Sequence, residues 1–176
     1  MRSEAINRVR LVFTLFDANG NGQLEADDFD LMTERVRHSL PDADEARHAA
    51  LAASLRTYWT TLVTALDTDG DGRISFEEFQ GVVLSPERFD AALDEFAHAL
   101  AALGDLKGDG RVARPTFIAL MTAIGFELSN VHALFDDFGP DGSDEITADT
   151  WVTGIKEYYG PDKVGIPGDR LVGGAA

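Results

Sequence analysis

Four times along the chain an apolar residue is followed, five positions later, by a second one. The pairs are Leu24 and Phe29, Ile74 and Phe79, Val112 and Phe117, and Ile146 and Trp151. Each pair follows a stretch rich in Gly and Asp and precedes an apolar pattern of helical period. Self-similarity of this kind marks one supersecondary unit used repeatedly, with neighbouring copies burying one another's apolar faces. The flanks agree. Val9, Val12, Phe13 and Phe16 recur at helical spacing before the first loop, as do Leu55, Trp59, Leu62, Val63 and Leu66 before the second. The exiting segments carry Phe29, Leu31, Met32 and Val36, then Phe79, Val82 and Val83, then Phe117, Leu120 and Met121, then Trp151, Val152 and Ile155.

Segment 86–103 reads as an amphipathic helix with Ser85 as its N-cap and Pro86 at its first position. Ser129 is expected to cap the helix that carries Leu134, Phe135 and Phe138. Residues 39–48, interrupted by Pro41, are the expected linker between the first two units. The tail from Gly160, rich in Gly and Pro, is expected to be irregular. The expected architecture is all-α, helix–loop–helix four times.

The loops carry the chemistry. Calcium is a hard cation that takes six to eight oxygen ligands at about 2.3–2.6 Å. A turn with oxygen donors at positions 1, 3 and 5, glycine at 6, a backbone carbonyl at 7 and a bidentate Glu at 12 encloses it. The second loop supplies Asp67, Asp69, Asp71, Gly72, the carbonyl of Arg73, Ser75 at position 9 and Glu78 at position 12. Crowded carboxylates repel one another until a dication neutralises them, which explains why so much like charge sits in one turn. The first loop supplies Asp17, Asn19, Asn21, Gly22, the carbonyl of Gln23, Glu25 and, at position 12, Asp28. Asp is one methylene shorter than Glu and reaches the ion less easily with both oxygens, so this loop also admits magnesium, which wants six ligands.

The third loop keeps Asp105, Asp109 and Gly110 but has Lys107 at position 3, Ala113 at 9 and Thr116 at 12. The fourth begins at Gly139 and Pro140, lacks glycine at position 6 and ends in Thr150; Asp136, Asp137, Asp141 and Asp144 cluster around it. Both read as degenerate. Two calcium ions per chain are expected, both in the first half.

These loops resemble EF-hands. EF-hands pair through short β-contacts at position 8, so the resemblance implies that Val112 faces Ile146 as Leu24 faces Ile74. The first two loops start 50 residues apart and the second and third 38 apart, from Asp17, Asp67 and Asp105. That long first spacing, with the closing "GIPGDRLVG", is similar to the sarcoplasmic calcium-binding proteins and calerythrin. The resemblance covers essentially the whole chain and implies four units in two pairs forming one compact globule, with a calcium-buffering role. The expected divisions are 1–84 for a metal-competent pair, 85–160 for a degenerate pair and 161–176 for the tail.

The formal charge is −16, from 31 acidic and 15 basic side chains, which argues against nucleic acid and anionic membranes as partners and favours cations. Cysteine is absent, and no run of about 20 apolar residues is long enough to span a membrane. The N-terminus lacks the apolar core of a signal peptide, so a cytoplasmic location is expected. His38, His48, His98 and His132 fall in separate helices without zinc-ligand spacing, and are expected to be surface or half-buried. No catalytic fingerprint occurs, and an enzyme is not expected. Two readings stay open: a buffer that sets the free ion level, and a sensor that grips a partner protein on loading. Calmodulin-type sensors line their groove with Met, and only Met1, Met32 and Met121 are present, which favours the buffer.

Overall fold

The apolar repeats fold as helices on either side of each loop. The computed structural model describes residues 3–67, 69–83 and 86–173. Helices α1 (Ser3–Phe16) and α2 (Ala26–Ser39) flank the first loop, and α3 (Glu45–Leu66) and α4 (Phe76–Val83) the second. Helices α5 (Pro86–Gly104) and α6 (Arg114–Ile124) flank the third, and α7 (Leu128–Asp137) and α8 (Ala148–Tyr158) the fourth. The loops meet in twos. Strands β1 (Arg111–Ala113) and β2 (Glu145–Thr147) pair antiparallel with Val112 opposite Ile146. Leu24 and Ile74 exchange both backbone hydrogen bonds, at 2.9 and 3.0 Å. All four of these residues are buried, so each contact joins two loops and also pins them to the core.

Several local expectations are corrected. The tail is not wholly irregular: Pro167–Val172 forms a 3-10 helix, opened by Pro167 with its preset φ and closed at Gly173. Glu127, not Ser129, caps α7, its carboxylate accepting the Asn130 N–H, while the Ser129 hydroxyl bonds to that same carboxylate. The linker is shorter than 39–48, because Asp44 caps α3 by accepting from Ala46 N–H at 2.9 Å and the helix runs from Glu45. Leu31, expected on the apolar face of α2, is 43% exposed. His48 is buried rather than half-buried, with Nε2 3.0 Å from the Leu40 carbonyl. Ser85 and the side chains of Val82 and Val83 lie outside what the structure describes.

One contiguous core runs through residues of all eight helices and of the 3-10 helix. Tyr58, fully buried on α3, is its hub: its ring meets Phe16 and Phe89 edge-on, at 5.5 and 4.6 Å between centroids. Aromatic pairs prefer such edge-to-face geometry because the positive ring edge meets the negative face. Around the fourth loop, Trp151 and Phe135 flank Phe117 at 4.7 and 5.1 Å. Where α1, α5 and α8 approach one another, a cavity of about 60 Å³ remains, lined by apolar residues including Val12, Leu100 and Trp151 and closed by Gly168 and Leu171 of the 3-10 helix.

The tail is held by a buried cation that the sequence reading passed over. Arg8 lies on the apolar stripe of α1 between Ala5, Val9 and Val12, and is fully buried. Its Nε donates to the Tyr158 carbonyl at 2.7 Å, and Nη1 donates to Asp169 Oδ1 at 2.6 Å. Nη2 donates to the carbonyls of Gly160 and Lys163, at 2.9 and 3.1 Å. The Tyr158 hydroxyl returns a bond to the Arg8 carbonyl at 3.1 Å. One guanidinium therefore ties the first helix to residues between Tyr158 and Asp169, and its planar fork suits several acceptors in fixed directions. A lone Arg on an otherwise apolar helical face was the available signal.

Candidate metal centre

The second loop is wired from its first residue. Asp67 Oδ1 accepts the N–H groups of Gly70 and Asp71 at 2.6 and 3.1 Å, and Oδ2 accepts that of Gly72 at 2.9 Å. Asp69 and Asp71 each accept the N–H two residues on, from Asp71 at 3.1 Å and Arg73 at 2.8 Å. These local bonds curl the chain so that Asp67, Asp69 and Asp71 each bring one carboxylate oxygen within 4.8 Å of the others. That span is twice a calcium–oxygen distance of about 2.4 Å, so the three oxygens fit on one coordination sphere. Gly72 turns the chain with φ of 77°, in the left-handed region that costs a side-chain-bearing residue energy. Ser75 and Glu78 complete a reciprocal cap for α4. The Glu78 carboxylate accepts both the N–H and the hydroxyl of Ser75 at 2.9 Å, and the Glu78 N–H donates to the Ser75 hydroxyl at 3.3 Å.

The first loop follows the same wiring with amides in place of two carboxylates. Asp17 accepts the N–H groups of Asn21 and Gly22 at 2.9 and 2.8 Å. Asn19 Oδ1 and Asn21 Oδ1 accept those of Asn21 and Gln23 at 3.0 and 2.9 Å. Asp28 is fully buried, its Oδ1 accepting from Asn19 N–H at 3.0 Å and its Oδ2 from Glu25 N–H at 2.8 Å. Burial pushes the Asp28 carboxyl up, against the lowering effect of those two bonds. Glu25 is shared between two neighbours: Oε1 lies 2.9 Å from Arg73 Nε, and Oε2 accepts from Asn21 Nδ2 at 2.8 Å.

The third and fourth loops keep the backbone form and fill it with the chain's own cations. Asp105 repeats the bonds of Asp67, to Gly108, Asp109 and Gly110 at 2.7, 3.1 and 2.8 Å. Yet Lys107, at position 3, reaches across to Glu145 at 2.6 Å, and Arg111, at position 7, pairs with Asp141. Arg114 holds Asp144 through Nε and Nη2, at 2.8 and 2.9 Å, and Asp136 at 2.7 Å. Asp144 sits where the other loops have a glycine and takes φ of 60°, a conformation Asp tolerates better than most residues. Arg47 from α3 adds a bond to the Asp105 carbonyl. Asp141, Asp144 and Glu145 around the fourth loop are thus committed to guanidinium and ammonium groups, whereas the Asp105 carboxylate of the third accepts main-chain N–H groups.

This commitment has a pH signature. The hydrogen bond from Arg114 holds the Asp144 carboxyl below its usual range. The Ser143 N–H, helped by the Glu145 N–H and Arg111, does the same for Asp141. Groups whose folded pKa is depressed contribute stability that is present above their unfolded value, about 3.9, and is lost as pH falls through the folded one. The melting temperature of the ion-free protein is expected to fall as the pH drops below about 4. In Arg114→Gln that acid-dependent fall should be smaller. An acid limb of equal depth in both proteins would show that these pairs contribute nothing.

The paired helix–loop–helix units with oxygen-rich loops define a class. Residues 6–84 match the family model of an EF-hand domain pair. Over nearly its full length the chain is similar to calerythrin of Saccharopolyspora erythraea, 22% identical over 162 residues that cover 88% of this chain and 92% of the relative. Among solved structures it is similar to a Streptomyces coelicolor calcium-binding protein described in terms of calcium-mediated regulation. That match has a TM-score of 0.74 and 27% identity, covering 88% of this chain and 97% of the other. The sarcoplasmic calcium-binding protein of amphioxus shares the fold across 100% of both chains, with a TM-score of 0.73 and 19% identity. The likeness to calerythrin and the sarcoplasmic proteins expected from loop spacing and tail is thus found at full length. Among the described residues, no helix is long and apolar enough to cross a membrane.

Proposed function

We propose that the chain binds two calcium ions in its first two loops and serves as an intracellular calcium buffer without enzymatic activity. The second site uses Asp67, Asp69, Asp71, the Arg73 carbonyl, Ser75 and Glu78. The first uses Asp17, Asn19, Asn21, the Gln23 carbonyl, Glu25 and Asp28, and also accepts magnesium. The observation that carries this reading is the convergence of three carboxylate oxygens within 4.8 Å around the Gly72 turn. In this reading the chain is four EF-hand units in two pairs, 1–84 binding ions and 85–160 acting as a scaffold braced by Lys107, Arg111 and Arg114. The tail, 161–176, is the third division in this reading, and its described residues reach the core through Leu171 and the Arg8 bonds to Lys163 and Asp169. When bound, calcium neutralises the mutual repulsion of the loop carboxylates. Glu78 and Asp28 would exchange their bonds to Ser75 and to the Asn19 and Glu25 N–H groups for ligation.

The Streptomyces relative's link to regulation favours a second reading, a sensor that grips a protein partner on loading. The buffer reading draws support from the tail, which Arg8 locks over the core and which closes the apolar cavity. Calorimetric titration with calcium, with and without magnesium, tests the first claim; two ions per chain are expected, and four equivalent ions would overturn it. Hydrophobic-dye fluorescence measured in the same titration separates buffer from sensor. A fall on loading fits a buffer whose core tightens, and a rise accompanied by capture of a partner fits a sensor.

A further inference from the structure

The side chain of Arg73 belongs to a different loop from its carbonyl. The carbonyl stands at the seventh position of the second loop, where the proposed site uses it as a ligand. The guanidinium crosses to the first loop, where Nε lies 2.9 Å from Glu25 Oε1 and Nη1 donates to Gln23 Oε1 at 3.0 Å. Glu25 is one of three carboxylates at the ligand positions of the first loop, with Asp17 and Asp28, whereas the ligand positions of the second carry four, Asp67, Asp69, Asp71 and Glu78. The backbone bridge between Leu24 and Ile74 fixes the two loops side by side, so the guanidinium stays within reach whatever the rest of the chain does. Its neighbours confine it further, because the other oxygen of Glu25 is held by Asn21 Nδ2 at 2.8 Å.

From this geometry we infer that Arg73 is an internal counter-cation of the first loop, which weakens calcium binding there and makes the second loop fill first. The inference rests on the reading of both loops as calcium sites. Calcium affinity in such loops follows the charge and rigidity of the ligand set. A fixed positive charge against Glu25 offsets one of the three negative charges that attract the ion, and it holds Oε1 of the position-9 carboxylate in an ion pair that ligation would have to break or share. The position-9 residue of the second loop, Ser75, is neutral and offers no charge to such a cation.

The test is calorimetric titration of the full chain with calcium at low ionic strength, with the Gly22 and Gly72 amide resonances followed by NMR to assign each step to a loop. In Arg73→Gln the step that shifts Gly22 is expected to tighten, by roughly threefold to tenfold, and to move closer to the Gly72 step. Arg73→Lys, which keeps the charge, should stay near the wild type. Raising the salt concentration should shrink the gap between wild type and Arg73→Gln, because exposed charges are screened. In a Glu25→Gln background the same Arg73→Gln substitution should have a different effect, since the carboxylate it faces is gone. A first loop that binds no more tightly, or binds more weakly, in Arg73→Gln would overturn the inference. Absence of calcium binding in the wild type would instead overturn the proposed function beneath it. A gain in affinity is not an outcome of damaged folding, so the expected result separates charge from structure.

Discussion

Glu78→Gln is expected to cost the second loop at least 100-fold in calcium affinity, about 2.7 kcal/mol, while leaving the protein folded. The substitution keeps the length of the side chain and a carbonyl oxygen that can still accept from Ser75, whose N–H and hydroxyl now sit 2.9 Å from the carboxylate. The cap of α4 therefore survives. What disappears is one full negative charge and the bidentate oxygen pair that position 12 contributes to a shell of about seven oxygens. Calorimetry would read the loss as one missing tight step, with the Gly22 resonance still responding and the Gly72 resonance displaced to much higher calcium. Normal binding in this variant would mean that the ligand register drawn through Ile74 is wrong.

Arg8→Ala is expected to produce the largest loss of stability, about 3–5 kcal/mol, in a thermal or denaturant melt of the full chain. Truncation removes one part-buried charge-assisted bond and three bonds to main-chain carbonyls. The Tyr158 carbonyl, whose bond to Arg8 is buried, then loses that donor, and a buried acceptor left without one costs more than the bond itself contributed. A cavity the size of the side chain adds to the loss. Asp169→Asn should be much milder, because Asp169 is partly exposed and the three carbonyl bonds remain. Hydrogen exchange should place the Arg8→Ala effect in residues 158–172 and in α1 before it reaches the loops. Equal destabilisation by the two variants would mean that the ion pair, and not the carbonyl anchors, holds the tail.

Most of the candidate centre was legible because its chemistry is local. A carboxylate at loop position 1 binds N–H groups three to five residues away, and glycine at position 6 answers a backbone demand, so spacing alone predicts the turn. The same locality explains why the third loop could be placed in register although Thr116 and Lys107 stand where ligands would. Helix periods were equally visible in the apolar stripes. Where single residues were misjudged, the competing force was nearby but unsigned in the pattern. Glu127 outcompeted Ser129 for the cap of α7 because its longer side chain reaches the Asn130 N–H from one turn earlier, and Leu31 fell on the exposed side of α2 although it is as apolar as its neighbours.

The sequence by itself determined the four loops, their unequal donor sets and the helices around them, because each depends on contacts within about a dozen residues or on a repeated register. The pairing of Val112 with Ile146 and of Leu24 with Ile74 was implied by the resemblance to EF-hands, and the fold has both. Only the tertiary structure decided where the long cationic side chains go. Arg8 meets Asp169 across 161 positions, Arg114 meets Asp144 across 30, and Arg73 reaches Gln23 across 50. Nothing in the spacing of a chain fixes the partner of a flexible, charged side chain. Partner choice is set by which loops and helix ends the packed core brings together, and that is a property of the fold as a whole.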